Sequence, residues 1–247
     1  MIPETNLVKI NLHRYEDLIS ALEKSLFTKS KVKINYINFY SFNLAISNIS
    51  FNKILNSFDF NFPDGIGIWF GLRLFKIKIS RFNLTDYGFE FMKECEKRKW
   101  RLFFLGSHKE TLLRAKTRLL EHFPELNITG MIDGYESLNS NSLLEIINRF
   151  KIDILLVGLG SLKQENWIYE NSTKINSTVF LSVGDLFNLY AGEKHRGNKT
   201  IRSLGLEWMV RLMFSPFKYA RRYVLGIPEY LFNLIRYKMR RINPFVH

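Results

Sequence analysis

The chain has 247 residues, of which 46% are hydrophobic, and a formal net charge of +13. This length allows one large domain or one domain with an appendage, and the composition is ordinary for a globular protein. The single cysteine, Cys95, excludes an internal disulfide, and the five scattered histidines have no zinc-binding spacing.

The basic residues are concentrated at the end of the chain. From Lys194 onward there are twelve Lys and Arg against two Glu, a net charge of +10. This excess predicts an anionic partner: lipid headgroups, nucleic acid or a phosphorylated substrate. No window approaches the ~18 apolar residues of a spanning helix. Because Glu4 and Lys9 interrupt the first residues, we expect no signal peptide, and one cysteine suits a reducing, cytoplasmic location.

Strand and helix patterns alternate from the start of the chain. Residues 7–11 and 31–37 have strand patterns on either side of a helical spacing over 15–27, which predicts an opening β-α-β unit. Asn38 follows the second strand and precedes a predicted helix over 39–49.

The stretch F-N-F-P-D-G-I-G at 60–67 predicts a turn with Asp64 at its apex. Turn chemistry explains it, since P-D-G is a common turn signal, and a catalytic base in a cleft is the alternative. Downstream, Arg81 is either a surface charge or a phosphate ligand. Thr85 or Asp86 is expected to cap a helix through residue 99.

Strands are predicted over 100–106 and 126–134, and helices over 107–122 and 141–150. Ser107, followed three residues later by Glu110, is a capping-box pattern for the first of these helices.

A continuous apolar run over 154–158 predicts a strand that leads into a glycine loop, in the stretch D-I-L-L-V-G-L-G-S-L-K-Q-E-N-W at 153–167. Such a strand is typical of a parallel sheet covered on both faces, and ligands bind at its carboxyl end. Gly158 and Gly160 would let the backbone approach a ligand, and the amides opening the next helix would attract an anion. An ordinary strand-to-helix turn explains the same residues, and both interpretations stay open. The polar side chains of this loop are Lys163, Gln164 and Glu165.

A helix over 163–174, a strand over 178–183 and the stretch 184–192 complete the alternation. It predicts an α/β fold with a mostly parallel sheet and helices on both faces, in a domain over residues 1–193. Residues 194–247 would form a basic, aromatic-rich helical appendage, with helices over 202–214 and 216–241. Its basic and aromatic side chains favour a membrane surface over a helical pair packed on the core, and over nucleic acid.

The order of these motifs resembles the WecG/TagA/CpsF glycosyltransferases (glycosyltransferase family 26) over nearly the whole chain. The motifs are Asn38, P-D-G-I-G at 63–67, Arg81 with Thr85 and Asp86, F-F-L-G at 103–106, D-G-Y at 133–135, V-G-L-G-S-L-K-Q-E-N-W at 157–167, V-G-D-L-F-N-L-Y-A-G at 183–192, Arg196, G-L-E-W at 205–208, Arg211 and R-R-Y at 221–223.

This resemblance implies a Rossmann-like domain with a helical appendage and an inverting transferase that needs no cofactor. The transfer would run from a UDP-sugar to a polyprenyl-diphosphate-linked acceptor at the inner membrane face. The sugar would be N-acetylmannosamine, its uronic acid or glucose, destined for teichoic acid or surface polysaccharide. Without a D-x-D pair to hold a divalent ion, we expect metal independence, with arginines neutralising the leaving group.

The resemblance also implies roles for individual residues. Asp64 would be the base, with Asn38 and Arg81 at the reacting groups. A UDP-sugar site would include Tyr135, Gly158, Gly160, Lys163, Gln164, Glu165, Asp185 and Asn188. The appendage arginines Arg211, Arg221 and Arg222 would contact the leaving or lipid diphosphate.

Several residues depart from the family pattern, mostly at the donor-site loops: Tyr36, Leu84, Leu162, Asp185 and Asn188. A bulkier Tyr36 and a charged Asp185 are expected to narrow the sugar pocket or change its polarity, so the resemblance does not fix the sugar.

A nucleotide-dependent oxidoreductase is an alternative function, but it would need G-x-G-x-x-G after the first strand, and this motif is absent. A non-catalytic, basic nucleic-acid- or nucleotide-binding protein is the other alternative. A second copy of the chain is a further candidate to cover the appendage aromatics.

Overall fold

The computed structural model describes residues 7–79, 83–135, 141–194 and 196–246. The strands are β1 (Val8–Lys9), β2 (Val32–Ile37), β3 (Phe60–Pro63), β4 (Leu102–Gly106), β5 (Ile128–Ile132), β6 (Ile152–Gly158), β7 (Ser177–Ser182) and β8 (Phe245–Val246). The helices are α1 (Tyr15–Thr28), α2 (Phe39–Ser47), α3 (Ile49–Asn56), α4 (Gly65–Leu74), α5 (Gly88–Lys97), α6 (Lys109–His122), α7 (Asn141–Asn148), α8 (Lys163–Asn171), α9 (Leu186–Tyr190), α10 (Lys199–Ser203), α11 (Glu207–Phe214), α12 (Pro216–Ala220) and α13 (Gly226–Met239), with a π-helical turn (Arg221–Leu225) before α13.

Six strands form one parallel sheet in the order β3-β2-β7-β6-β4-β5. The predicted α/β class, with a parallel sheet between helices, is therefore confirmed. Every strand of a parallel sheet runs in the same direction, so the loops after these strands gather at one edge.

β6 shows why the sheet must be covered on both faces. Ile154 and Leu156 pack in a core with residues of α1, α5 and α6. Leu155 and Val157, which point the other way, pack with residues of α7 and α8. Side chains alternate across a strand, so a continuous apolar run needs an apolar layer on each side.

The first strand does not join the sheet, so the predicted opening β-α-β unit is wrong. β1 pairs in parallel with β8, from the other end of the chain, to form a separate two-stranded sheet. Val8 and Ile10 are fully buried in a third core with Phe245 and residues of α13. The alternating pattern identified a strand correctly, but its apolar partners come from a distant segment.

Two predicted helix caps are also wrong. α5 begins after Tyr87 and α6 after His108, and neither of these two N-cap side chains bonds to its helix. Thr85 instead donates its hydroxyl to Asn83 at 2.5 Å, and Asp86 forms an ion pair with Arg196. Ser107 donates its hydroxyl to Asn188 at 3.1 Å. Asp86 and Ser107 therefore bond to partners remote in sequence, and Thr85 bonds within its own loop, in place of the predicted capping bonds.

The C-terminal helix α13 packs against the body of the protein. Tyr230 and Leu234 share the third core with residues of α2 and α4. The Tyr230 hydroxyl donates to the Gly67 carbonyl at 3.0 Å, and the Asn43 amide donates to the Gly226 carbonyl at 2.8 Å. Segments on both sides of the predicted boundary at residues 193 and 194 therefore contribute to one hydrophobic core.

We expect Leu234→Ala to lower the free energy of unfolding by about 2–5 kcal/mol, because Leu234 is 1% exposed and the substitution leaves a cavity. Chemical unfolding followed by tryptophan fluorescence measures the change. Ile235→Ala is the matched control, since the neighbouring Ile235 is 54% exposed and should cost far less. Equal losses in the two variants would contradict the packing of α13.

Candidate functional site

A polar cavity of about 290 Å³ lies at the carboxyl edge of the sheet. Loops after all six strands contribute to it, as expected of a parallel sheet. We call it the donor-edge cavity, after the nucleotide-sugar donor that the family resemblance predicts for this part of the chain. Its polar lining residues are Tyr36, Asn38, Asp64, Asn83, Thr85, Ser107, Tyr135, Ser161, Lys163, Asp185, Asn188, Lys194, Arg211, Tyr219 and Arg222.

A second cavity of about 430 Å³ adjoins the first and is lined mainly by apolar side chains. We call it the apolar cavity. α2 and α4 form one wall, and the appendage forms the other. Its apolar lining includes Phe39, Ile66, Phe70, Trp208, Tyr223, Ile227, Tyr230 and Leu231. Five polar residues line both cavities and mark where they meet: Asn38, Asp64, Asn83, Arg211 and Arg222.

Asp64 occupies this junction because β3 ends at Pro63 and α4 begins at Gly65. Its backbone amide donates to the Ile37 carbonyl at 2.7 Å, which fixes it beside β2. Its carboxylate makes no capping bond to α4 and so is available to a ligand. Burial raises the pKa of Asp64, while the charges of Arg211 and Lys194 oppose the rise. A carboxylate with a raised pKa in a cavity is suited to accepting a proton.

Two asparagines stand beside Asp64. The Asn38 side-chain oxygen accepts from the amides of Tyr40 and Ser41 at 3.0 Å each and caps α2. Its side-chain NH2 is then the group that a ligand can use. Asn83 accepts from the Thr85 amide at 2.9 Å. The sequence analysis predicted Asn38 as a site residue but not Asn83, because an asparagine in a loop is common and carries no motif.

Arg211 is held at the junction by an ion network. It pairs with Glu207 one helical turn earlier, and Glu207 also accepts from Arg196 at 3.1 and 3.2 Å. Arg196 in turn pairs with Asp86 and donates to the Thr85 carbonyl at 2.8 Å. Burial alone would raise the pKa of Glu207, but the neighbouring cations, Arg211 first, lower it to about 2. The network ties α11 to the loop that precedes α5.

Arg222 reaches both cavities from the π-helical turn. Its guanidinium lies over the Tyr40 ring, 4.9 Å from the centroid, and over the Phe39 ring at 5.8 Å. The neighbouring Arg221 is exposed and lines neither cavity. The structure therefore brings Arg211 and Arg222 to the predicted site and leaves Arg221 on the surface.

A hydrogen-bonded chain follows one wall of the donor-edge cavity. Ser107 donates to Asn188, and the Asn188 amide donates to the Asp185 carboxylate. The Lys194 ammonium lies 3.9 Å from that carboxylate. Asp185 and Asn188 were predicted here, whereas Lys194 was missed because an isolated lysine in a loop carries no motif.

The glycine loop after β6 approaches its neighbours closely. A Cβ on Gly158 would lie 2.7 Å from the Phe187 ring and 2.8 Å from the Gly184 carbonyl. Gly160 has a φ of +81° and faces open space, so this position favours glycine for its backbone conformation. Leu162, one of the residues that depart from the family pattern, has a φ of 75°, in the left-handed region that favours glycine.

Gln164 and Glu165 are fully buried and line neither cavity. Gln164 accepts from the Gly184 amide at 3.1 Å and donates to Glu165 at 3.1 Å. Burial raises the pKa of Glu165 to about 7, although the amides of Glu165 and Leu162 and the Gln164 side chain oppose the rise. Tyr36 lines the cavity, and a Cβ on Gly184 would lie 2.3 Å from its hydroxyl oxygen. Direct nucleotide contact by Gln164 and Glu165 stays a prediction.

Tyr135 stands at the rim of the donor-edge cavity and is 70% exposed. Its ring stacks on His108 with centroids 4.0 Å apart and planes 8° apart. Such an aromatic pair can support a planar base.

Two other predicted site residues are basic. Lys163 lines the same cavity and is exposed. Arg81 lies outside the described residues. Within the described part of the chain, no group of three or more His, Cys, Asp or Glu is placed to hold a metal ion.

The sequence is similar to a family of glycosyl transferases and to individual members of known name. The model of the glycosyl transferase WecG/TagA/CpsF family matches residues 5–244. An N-acetylglucosaminyldiphosphoundecaprenol N-acetyl-beta-D-mannosaminyltransferase of Bacillus subtilis is 28% identical over 193 residues, which are 78% of this chain and 74% of that protein. Proteins of the same name from Bacillus spizizenii and Staphylococcus aureus are 28% and 26% identical, covering 81% and 80% of this chain and 77% of each relative.

We expect Glu207→Gln to reduce the acid sensitivity of folding stability. The folded-state pKa of Glu207, about 2, lies below its ordinary value of 4.5, so its charge contributes stability above pH 4.5 that is lost as the pH falls towards 2. Wild-type protein should therefore lose more free energy of unfolding than the variant across this window. Urea unfolding at each pH measures the difference.

The control for this comparison is Glu121→Gln, an exposed carboxylate on α6. It should retain the pH dependence of the wild type. Parallel losses of stability in wild type and Glu207→Gln would show that the Glu207 network does not control acid unfolding.

Proposed function

Because the chain belongs to the glycosyl transferase WecG/TagA/CpsF family, we propose that it transfers a sugar from a UDP-sugar to a polyprenyl-diphosphate-linked sugar acceptor. The observation that carries this proposal is the position of Asp64, where a polar cavity and an apolar cavity meet. A transferase of this kind must bring a polar donor and a lipid-linked acceptor together at one base.

The two cavities differ in the chemistry that they offer. The donor-edge cavity presents charged and hydroxyl groups, with the Tyr135–His108 stack at its rim, and suits a nucleotide sugar. The apolar cavity, between α4 and the appendage, suits the first isoprenoid units of a lipid carrier. The relatives named above act on N-acetylglucosaminyldiphosphoundecaprenol, which has this polar head and apolar tail.

In the proposed reaction, Asp64 accepts the proton of the acceptor hydroxyl as that oxygen attacks the anomeric carbon. The bond from the anomeric carbon to the diphosphate oxygen breaks, and its electron pair leaves with UDP. Attack from the side opposite to the leaving group inverts the configuration. Arg211 and Arg222 line both cavities and can neutralise the diphosphates without a metal ion.

The appendage exposes apolar side chains near basic ones, which supports contact with an anionic membrane surface. Phe217, Met213 and Phe232 are 101%, 78% and 63% exposed. Arg221 and Arg240 are exposed on the same segment. Rings and basic groups of this kind bind at the headgroup level of a bilayer. Within the described residues no helix is long and apolar enough to cross one.

The proposed product is an intermediate of a bacterial surface polysaccharide or teichoic acid. N-acetylmannosamine is the donor sugar that the relatives' names suggest. Its uronic acid and glucose are the other candidates, because a bulky Tyr36 and a charged Asp185, which depart from the family pattern, line the donor-edge cavity.

We expect Asp64→Asn to lower acceptor-dependent UDP release by about 10²-fold or more, because the amide cannot accept the proton. The assay uses a panel of UDP-sugars, a polyprenyl-diphosphate-N-acetylglucosamine acceptor and EDTA. Asp17→Asn, a carboxylate of the first turn of α1, is the control and should retain activity. Wild-type release should survive EDTA, and activity that depends on added Mg²⁺ or Mn²⁺ would contradict metal independence.

The same assay yields a pH profile. Because Asp64 must be ionised to act as a base and its pKa is raised, kcat/KM should fall as the pH falls through that raised pKa.

Two outcomes of this assay would contradict the proposal. Equal rates of UDP release by wild type and Asp64→Asn would show that Asp64 is not the base. A chain that releases no UDP from any donor, yet binds nucleotide or nucleic acid, would favour a non-catalytic binding protein instead.

We expect Phe217→Ser to weaken binding to vesicles that contain anionic phospholipid, because it removes a fully exposed ring from the appendage. Vesicle flotation measures the bound fraction. Phe27→Ser is the matched control, since Phe27 is 91% exposed on α1, away from the appendage. Equal binding by the two variants would contradict the appendage as the membrane-contacting surface.

A further inference from the structure

Lys194 is a buried lysine in the wall of the donor-edge cavity. Its side chain is 5% exposed, and it lines this cavity but not the apolar one. Arg211 and Arg222, by contrast, line both cavities. Among these three cationic residues, Lys194 alone belongs only to the donor side of Asp64.

The charge around Lys194 is incompletely balanced. Its ammonium lies 3.9 Å from the Asp185 carboxylate, which is beyond hydrogen-bond distance. That carboxylate already accepts from the Asn188 amide. Burial, followed by the charge of Arg211, lowers the pKa of Lys194 to about 8, while the charges of Asp185 and Glu207 oppose the fall. The charged groups that face Lys194 are Arg211 and Glu207 of α11, Arg196 of the preceding loop, Asp185 before α9 and Asp64 after β3.

Two arginines that line the same cavity, Arg211 and Arg222, have unused hydrogen-bond donors. Among the described residues, the Nε atoms of Arg211 and Arg222 are buried without an acceptor. A buried N–H without an acceptor is costly, and an anion with several oxygens would satisfy it. A diphosphate is such an anion, and its two phosphate groups can reach more than one cation at once.

We propose that Lys194 binds the diphosphate of the nucleotide-sugar donor and stabilises its additional negative charge as the sugar bond breaks. The assignment rests on the proposed glycosyl transfer. When the bond from the anomeric carbon breaks, the electron pair stays on the diphosphate oxygen. The Lys194 ammonium donates a hydrogen bond to the diphosphate and keeps its proton, while Asp64 takes the proton of the acceptor.

This role has a consequence in proton uptake. An anion beside Lys194 favours its charged form, so binding should raise its pKa. Near pH 8 the free protein holds Lys194 only partly protonated, and UDP binding should therefore draw protons from the buffer. Near pH 6.5 the lysine is already charged, and its uptake should vanish. The effect distinguishes Lys194 from an arginine, which does not titrate in this range.

The test is calorimetric titration of the full-length protein with UDP at pH 8, in two buffers of different ionisation enthalpy. The difference between buffers measures the protons taken up. Wild type, Lys194→Met and Lys194→Arg are compared, with uridine as the probe that lacks phosphate. Lys194→Met should bind UDP about tenfold more weakly or worse and take up fewer protons, with uridine binding unchanged. Lys194→Arg should restore affinity without restoring the uptake.

The kinetic readout separates the two substrates. Lys194→Met should lower kcat/KM for the donor and leave KM for the lipid-linked acceptor unchanged, since Lys194 does not line the apolar cavity. UDP affinity and proton uptake equal to wild type in Lys194→Met would overturn the assignment of Lys194 alone. Failure of the wild-type protein to bind UDP would instead overturn the nucleotide donor, and with it the proposed function.

Discussion

One buried carboxylate, that of Glu207, allows several cationic side chains to occupy the same corner of the protein. It accepts from Arg196 and pairs with Arg211, and its charge also favours the ionised form of Lys194. Removing one member of such a network leaves a buried charge uncompensated, which is strongly destabilising. The same bonds fix Arg211 beside Asp64. The stability of this corner and the position of Arg211 in the site therefore both depend on the Glu207 carboxylate.

The parallel sheet decides where that corner lies. All six strands end at the same edge, so short loops bring residues of distant sequence positions to one cavity. Gly106 and Gly158 are register partners at the ends of β4 and β6, and a Cβ on Gly106 would lie 2.4 Å from the Gly158 carbonyl. The ends of these two strands therefore leave no room for side chains, and Gly158 contributes to the cavity lining.

The apolar cavity has a different origin, because the appendage supplies one of its walls. α13 packs on α2 and α4, and β8 pairs with β1, which closes the C-terminal segment against the body. Asp64 faces a second cavity only when this segment is in place. In a family of glycosyl transferases, this arrangement gives a physical reason for a basic, aromatic appendage. It completes the proposed acceptor site and, under the proposed function, would offer exposed rings to the membrane that holds the acceptor.

Local sequence pattern was enough to predict most strands and helices and several site residues, whereas the pairing of distant polar and apolar groups follows from tertiary packing. Periodicity in β6 identified a strand buried on both faces, since side-chain alternation is a local property. The motifs that carry the family resemblance indicated Asn38, Asp64, Arg211 and Arg222, which all line both cavities.

The partners of β1, Ser107 and Asp86 were not predictable from local pattern. Each has a favourable local alternative, and each finds its partner in a segment remote in sequence. The same holds for the burial of Gln164 and Glu165 and for the exposure of Arg221, which resemble other polar residues in sequence. A strand pattern or a capping signal specifies a local conformation. Which distant group satisfies a buried bond or charge is decided by packing, because the free energy depends on all neighbours together.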